Sequence, residues 1–142
     1  MKSSIICVGA TLVDEIYFSQ SPMVLETSNP AKGTMRFGGV MANVARHLAA
    51  LKNPITLITA VGDDAYGNEI YHHFKASGID MEHALQIPES TGKYIAFHQP
   101  NGQLFTAICC DNVTSAITPK FLASKSTVFQ EANVVVADTN LT

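Results

Sequence analysis

Residues 38–51 read Gly-Gly-Val-Met-Ala-Asn-Val-Ala-Arg-His-Leu-Ala-Ala-Leu and decide the fold, because a glycine pair leads directly into an amphipathic helix. Glycine lets bare backbone come close to a ligand or to another segment of the chain. Apolar residues recur with helical spacing, so one side of the predicted helix faces a core; they are Met41, Val44, Ala45, Leu48 and Leu51.

Asn43 lies off this apolar stripe, in the first turn of the predicted helix. Free N–H groups and the positive end of the helix dipole favour oxygen-rich or anionic ligands there. An amide side chain can both donate to and accept from a hydroxyl group. We therefore predict that Asn43 faces a ligand. The alternative is that Gly38 and Gly39 only form a tight turn and that Asn43 only caps the helix.

Composition limits the class of protein. The chain has 142 residues, of which 46% are hydrophobic, and this is enough for one globular unit with a core. Its formal net charge of -3, with nine Lys and Arg residues in all, argues against a nucleic-acid or anionic-membrane surface. The N-terminal apolar run is too short for a signal peptide, and no run reaches membrane-spanning length. We expect a cytoplasmic protein.

The cysteines and acidic pairs give no sign of a metal site. There are three cysteines, two of them adjacent at Cys109 and Cys110, which fits neither a disulfide framework nor a zinc spacing. We predict reduced thiols packed in a core. The neighbouring carboxylates of Asp63 and Asp64 are predicted to cap a helix rather than to bind a metal ion.

Short apolar runs alternate with helical patterns, which is typical of a parallel α/β sheet. The sequence predicts strands at residues 5–8, 55–61 and 133–138, and helices at 66–77 and from Thr118-Pro119 onward. Asp14 is expected at the carboxyl end of the first strand, where open α/β sheets bind ligands. The alternative is that Asp14 is a solvated carboxylate in a turn.

The middle of the chain predicts an antiparallel hairpin, because residues 92–98 and 103–109 flank a Pro-Asn-Gly turn. With residues 13–18 and 33–37, these segments are expected to form a four-stranded flap, placed to act as a lid that excludes water from a site. The predicted last strand normally needs a neighbour on both sides. We therefore expect the chain to be the front half of a longer protein.

Two segments resemble the first signature of the PfkB (ribokinase-like) carbohydrate and nucleoside kinases. They are Phe37-Gly38-Gly39 followed by Asn43 and an Ala-rich helix, and the stretch Thr59–Gly67. The resemblance implies a three-layer αβα sandwich with a mostly parallel sheet and a small β lid, incomplete at the C-terminus. Residues 1–142 would be the N-terminal, substrate-binding half. Within the family, residues 28–51 and 116–140 are most similar to the pseudouridine kinases.

The resemblance also implies roles for individual residues. Asp14 matches the aspartate that binds ribose hydroxyls, and Tyr94 matches the lid strand that lines the sugar or base. One departure is Leu12, which stands where many relatives have an asparagine, so one polar substrate contact is lacking. The substrate-binding residues implied are Asp14, Gly38, Gly39, Asn43, Tyr94, Ala96, Asp138 and Asn140.

The implied activity is phosphoryl transfer from ATP, with Mg²⁺, to a primary hydroxyl of a sugar or nucleoside, with pseudouridine the first candidate. The family's Gly-Ala-Gly-Asp motif, which carries the catalytic aspartate, does not occur in this sequence. We therefore expect these residues alone to be inactive. The resemblance also implies a homodimer through the lid. The alternatives are a kinase for ribose or another small sugar, and a non-catalytic sugar- or nucleoside-binding module.

Overall fold

A computed structural model of the chain describes residues 4–141; the ends of the predicted unit, residues 1–3 and 142, lie outside the described residues. The strands, in chain order, are β1 (Ile5–Val8), β2 (Leu12–Ser19), β3 (Ala31–Gly38), β4 (Ile55–Ile58), β5 (Ala60–Gly62), β6 (Ile79–Asp80), β7 (Leu85–Ile87), β8 (Lys93–His98), β9 (Leu104–Cys110) and β10 (Val134–Ala137). The helices are α1 (Val40–Ala50), α2 (Ala65–Ala76), α3 (Pro119–Ala123) and α4 (Ser126–Gln130), with a 3-10 turn at Thr114–Ala116.

The central sheet is parallel and has the strand order β10-β1-β4-β6. Successive residues of β1 point to opposite faces, so Cys7 joins the core under α1 and α2, whereas Ile6 and Val8 join a second core under α3 and α4. Helices on both faces explain why the strands of the central sheet are mostly apolar. The predicted three-layer α/β arrangement is confirmed.

The second sheet, called here the flap sheet, has the strand order β3-β2-β8-β9. Strand β2 is antiparallel to β3 and parallel to β8, and β8 and β9 form an antiparallel hairpin. The four segments predicted to form one sheet do so. The hairpin turn contains Gly102 at a φ of 85°, a left-handed conformation that favours glycine. None of the helices described between residues 4 and 141 has the length and apolarity needed to cross a membrane.

The predicted strand at 55–61 is wrong, because it is two strands in different sheets. Strand β4 belongs to the central sheet, whereas β5 pairs with β7 in a separate two-stranded sheet. Thr59 lies at the break, where its buried hydroxyl donates to Thr11 Oγ1 at 2.9 Å and its carbonyl accepts from Leu85 N–H at 2.7 Å. These tertiary contacts redirect a run that is mostly apolar.

Asp14 does not lie at the end of β1 as predicted. Residues 9–11 follow β1, and Asp14 is the third residue of β2, within the flap sheet. Leu51 also differs, because α1 ends at Ala50 and leaves Leu51 73% exposed. The helical segment after Thr118 is two short helices instead of one.

Two other predictions about burial are wrong. Cys7 is buried, but Cys109 and Cys110 are exposed on β9, which is an edge strand of the flap sheet. Strand β10 was predicted to be buried but lies at the edge of the central sheet, with Val134 and Val135 about half exposed. In each case the hydrophobic character of the run is the same as in a central strand, and the position in the sheet decides the exposure.

Asp64 caps α2, as predicted for this pair of carboxylates. Its Oδ1 accepts from Gly67 N–H at 2.8 Å and from Thr91 Oγ1 at 2.6 Å, and its Oδ2 accepts from Thr91 N–H at 2.8 Å. Burial alone would raise the pKa of Asp64, but these hydrogen bonds outweigh it and lower the pKa. The carboxylate thus attaches the chain before β8 to the start of α2.

We predict that Asp64→Ala lowers the free energy of unfolding by about 1–2 kcal/mol, because it removes a helix cap and the contact to Thr91. Urea denaturation measures this, with Asp63→Ala as the matched control because the Asp63 side chain is exposed. The stabilisation requires ionised Asp64, whose pKa is lowered by folding. The difference between wild type and Asp64→Ala should therefore shrink as the pH falls through the pKa of the folded state. Equal losses in both variants would contradict this assignment.

Candidate functional site

One face of the flap sheet carries a row of polar side chains from four strands. The strand register places Asp14 opposite Arg36 of β3 and Tyr94 of β8, and Tyr94 opposite Cys109 of β9. Because paired residues in a sheet point to the same face, these four side chains share one surface. Two of the predicted substrate residues, Asp14 and Tyr94, are therefore neighbours in the fold.

The carboxylate of Asp14 lies directly over Gly38. A Cβ atom at position 38 would be 2.9 Å from Asp14 Cγ and closer still to Oδ2. The backbone of Gly38 itself is not left-handed, so the space taken by Asp14 is the reason for glycine here. The glycine pair does more than form a turn, because its first member makes room for a predicted ligand residue.

Asp14 is held in a partly buried, positively charged environment. Its side chain is 14% exposed, and its Oδ2 lies 3.6 Å from Nε of Arg36, whose side chain is 67% exposed. Burial raises the pKa of Asp14 above its ordinary value, although the charges of Arg36 and Arg46 oppose the shift. The carboxylate is therefore a partly desolvated acceptor, which suits a hydroxyl donor better than a fully hydrated one would.

Asn43 does not cap α1, because the cap position is occupied by Gly39 and Asn43 lies four residues further on. Its side-chain Oδ1 accepts from Arg46 Nη2 at 2.8 Å. The charge of the same arginine acts on Asp14. Asp14 lies against Gly38, and Asn43 lies one helical turn after Gly39, so both predicted residues lie near the glycine pair.

The start of α1 leaves backbone donors open. Gly39 has a φ of 96°, and no side chain among residues 4–141 caps the helix there. A Cβ at Gly39 would lie 2.6 Å from the carbonyl oxygen of Ala10 and 2.9 Å from Cα of Thr11. Only glycine fits, on grounds of both conformation and space. The first-turn N–H groups of α1 are therefore available for an oxygen-rich ligand.

Asp138 and Asn140 lie on the other side of the loop formed by residues 9–11. Asp138 Oδ2 accepts from Ala10 N–H at 3.0 Å, and its Oδ1 accepts from Asn140 N–H at 2.9 Å. Oδ2 thus holds the end of β10 against the residues after β1, whereas Oδ1 closes a local turn with Asn140. Asp138 contacts the same loop as Gly39, whereas Asn140 is exposed and its backbone contacts only Asp138 in this network.

Ala96 lies on the same face of β8 as Tyr94, two residues further along, and is paired with Ile16. It is 1% exposed, so its methyl group forms part of a packed surface. Tyr94 is half-buried. Tyr94 therefore provides an aromatic surface beside Asp14, and Ala96 packs beneath the same face of the sheet.

A comparison with known protein families identifies the family to which this chain belongs. The model that describes the pfkB family carbohydrate kinases matches residues 2–142. The chain belongs to the pfkB family.

Individual pfkB relatives differ in the length that this chain covers. It is 33% identical to pseudouridine kinase of Escherichia coli (strain K12), over 99% of this chain and 45% of that protein. It is 29% identical to ribokinase of Lactococcus lactis subsp. lactis (strain IL1403), over 70% of this chain and 33% of that protein. The chain therefore spans less than half the length of either curated relative.

A solved structure shows the same fold. Ribokinase of Arabidopsis thaliana, complexed with ribose and ATP, superimposes with a TM-score of 0.80 at 22% identity, over 100% of this chain and 47% of that one. This likeness establishes the ribokinase-like pfkB fold. The sheet order and the flap described above are consistent with it.

Sequence reasoning missed Arg36 and Arg46 as members of the site. Arg46 follows Asn43 by three residues, a spacing at which helix side chains meet, so its contact could have been found from the sequence. Arg36 lies two residues before Gly38 and becomes the neighbour of Asp14 only through the register of β2 and β3. That pairing depends on the tertiary structure and cannot be predicted from the residues around Arg36.

The described residues do not fit a metal ion. No group of three His, Cys, Asp or Glu side chains within residues 4–141 is arranged to hold one. Members of the pfkB family are phosphotransferases, and ATP with Mg²⁺ is typical of them.

We predict that Gly38→Ala destabilises the protein through Asp14, because the added methyl group collides with the carboxylate. The loss should shrink when Asp14→Ala is introduced as well, giving a coupling free energy of about 0.5–3 kcal/mol in a double-mutant cycle by urea denaturation. The control pair is Gly78→Ala with Asp14→Ala. Gly78 has a φ of 79° and no atom near the position of a Cβ. The loss of unfolding free energy in Gly78→Ala should therefore be additive with the loss in Asp14→Ala. Additivity in the Gly38 cycle would contradict the contact.

Proposed function

We propose that the protein containing this chain transfers the γ-phosphoryl group of ATP to the C5′ hydroxyl of a nucleoside, pseudouridine, and that this chain is the half that holds the nucleoside. The observation that carries the proposal is that Asp14 lies against Gly38, at the start of α1, whose first turn carries Asn43. The likeness to the pseudouridine kinase over nearly the whole chain supports the choice of substrate.

The residues of this chain would position the sugar. Asp14 supplies a negatively charged acceptor and Asn43 an amide, which together suit the two neighbouring hydroxyls of a ribose. Phosphoryl transfer depends mainly on positioning the attacking oxygen and on neutralising charge. Holding the two ring hydroxyls fixes the direction of the C5′ oxygen. ATP supplies the phosphoryl group, and we propose that it is bound, with Mg²⁺, mainly by residues beyond this chain.

The base would lie against the flap sheet. Tyr94 is directly in register with Asp14, so a base attached to a ribose held by Asp14 reaches the tyrosine ring. A ring of this kind offers a flat apolar face and a hydroxyl group. Ribose alone has no group to place there. This surface beside the sugar residues favours a nucleoside over a free sugar.

A second candidate function is phosphorylation of free ribose. It is supported by the 29% identity to a ribokinase over 70% of this chain. The packed Ala96 is compatible with a small sugar. The two candidates share the grip on the ribose hydroxyls and differ only in the use made of Tyr94.

Two further features belong to the proposal. The exposed apolar side chains of β9, Leu104 and Ile108, lie on an edge strand of the flap sheet and suit a homodimer formed through that sheet. The acidic net charge and the small-molecule substrate are consistent with a cytoplasmic enzyme. A non-catalytic binding module would share the fold but would show no turnover.

We predict that the full-length protein phosphorylates pseudouridine with a higher kcat/KM than uridine or ribose, as measured by ADP release with product identification. Asp14→Asn should lower kcat/KM by about 10- to 100-fold, because a hydrogen bond to a charged acceptor is lost. The matched control is Glu82→Gln, an exposed carboxylate outside the site. Preference for ribose would favour the second candidate, and binding without turnover would favour the non-catalytic module.

We predict an acid-side loss of kcat/KM that is set by Asp14. Protonation replaces the acceptor oxygen by a donor, so substrate binding weakens as the pH falls. Because burial raises the pKa of Asp14, the loss should begin at a higher pH than for an ordinary aspartate. The pH profile of Asp14→Asn should lack this limb, whereas Glu82→Gln should keep it. An unchanged limb in Asp14→Asn would assign it to another group.

A further inference from the structure

Arg46 is the side chain that contacts the amide of the predicted sugar residue Asn43. It lies three residues after Asn43 on α1, at the spacing where helix side chains meet. Its Nη2 donates to Asn43 Oδ1 at 2.8 Å, and its charge also acts on Asp14. Arg46 is half-buried, so this position is more restrained than that of an exposed arginine.

The contact with Arg46 determines the orientation of the Asn43 amide, because it decides whether Oδ1 or Nδ2 faces the guanidinium group. A guanidinium group has only donors, so the atom that faces it must be the amide oxygen. The backbone N–H of Asn43 is already used, because it donates to the carbonyl of Gly39 at 3.0 Å. Within residues 4–141, the side-chain Nδ2 donates to no protein acceptor. The NH₂ group thus has its donors available for a ligand.

We infer that Arg46 is a positioning residue that fixes the Asn43 amide with its NH₂ group toward the sugar, and this inference rests on the proposed function. Asp14 can only accept when ionised, and Asn43 held in this way donates. A pair of neighbouring hydroxyls matches the two groups, because one hydroxyl donates to Asp14 while the other accepts from Asn43. The pairing selects a vicinal diol over a deoxy sugar.

Arg36 provides a matched comparison on the same carboxylate. Its Nε lies 3.6 Å from Asp14 Oδ2, but its side chain is 67% exposed. It lies on β3, and no hydrogen bond joins it to Asn43 in the described part of the chain. Removing Arg36 therefore alters the surroundings of Asp14 without releasing the Asn43 amide.

The test compares Arg46→Met, Arg46→Gln and Arg36→Met in the full-length protein. For each, kcat/KM is measured with pseudouridine and with its 2′-deoxy and 3′-deoxy analogues, or with ribose and its deoxy analogues if ribose is the substrate. In wild type, loss of the hydroxyl that accepts from Asn43 should lower kcat/KM about tenfold, the effect of one hydrogen bond. In Arg46→Met, loss of the same hydroxyl should lower kcat/KM by no more than about twofold.

Arg46→Gln and Arg36→Met distinguish the positioning of the Asn43 amide from the loss of a positive charge, and thermal unfolding distinguishes it from a loss of stability. Arg46→Gln keeps a donor for Asn43 Oδ1 and should restore most of the wild-type discrimination, and Arg36→Met should keep it in full. Thermal unfolding shows whether each variant is folded. An equal loss for the natural and deoxy ligands in Arg46→Met, or failure of Arg46→Gln to restore discrimination, would overturn the inference.

A ligand-free measurement keeps this inference separate from the proposed function. The side-chain NH₂ resonances of Asn43 in ¹⁵N-labelled protein should shift in Arg46→Met and return toward their wild-type positions in Arg46→Gln. Unchanged resonances in Arg46→Met would overturn the role of Arg46 whatever the substrate. If the resonances move as expected but wild type phosphorylates neither pseudouridine nor ribose, the proposed function fails and the positioning role stands.

Discussion

The structure depends on the close approach between the glycine pair and the loop formed by residues 9–11. Gly39 has a left-handed backbone and lies against Ala10 and Thr11, where a Cβ atom would be 2.6 Å from a carbonyl oxygen. That loop leads from the central sheet into the flap sheet, and the glycine pair leads from the flap sheet into α1. Asp138 holds the loop from the other side through Ala10 N–H. A single contact therefore joins two sheets and a helix at the point where the candidate ligand residues lie.

This arrangement explains why a carboxylate is partly buried at the site. Removing Asp14 from water raises its pKa and has an energetic cost, which the charges of Arg36 and Arg46 partly offset. Absence of a side chain at Gly38 lets the carboxylate lie against the backbone. The site is preorganised for a ligand that brings a donor.

The elements that sequence patterns predicted well are those whose signals are local. The start of α1, the cap at Asp64 and the Asn-Gly hairpin each follow from residues adjacent in the chain. The break at Thr59 depends on the hydroxyl of Thr11, far away in sequence, and so no periodicity revealed it. Exposure of Cys109 and Cys110 depends on β9 being an edge strand. At the site, Asp14 and Asn43 were predicted from the family signature, whereas Arg36 required the strand register.

The two faces of the flap sheet serve different purposes. Opposite the Asp14 row, Lys93 Nζ lies 2.8 Å from Glu15 Oε1 and 4.5 Å from the ring centroid of Tyr66 on α2. Hydrogen bonds from Lys93 and Tyr17 lower the pKa of Glu15. Although a single ion pair of this kind adds only about 0–1 kcal/mol, it links the flap sheet to α2 on the face that carries no ligand residue. The attachment to α2 therefore uses the face opposite Asp14, and it leaves the predicted ligand residues Asp14 and Tyr94 out of this contact.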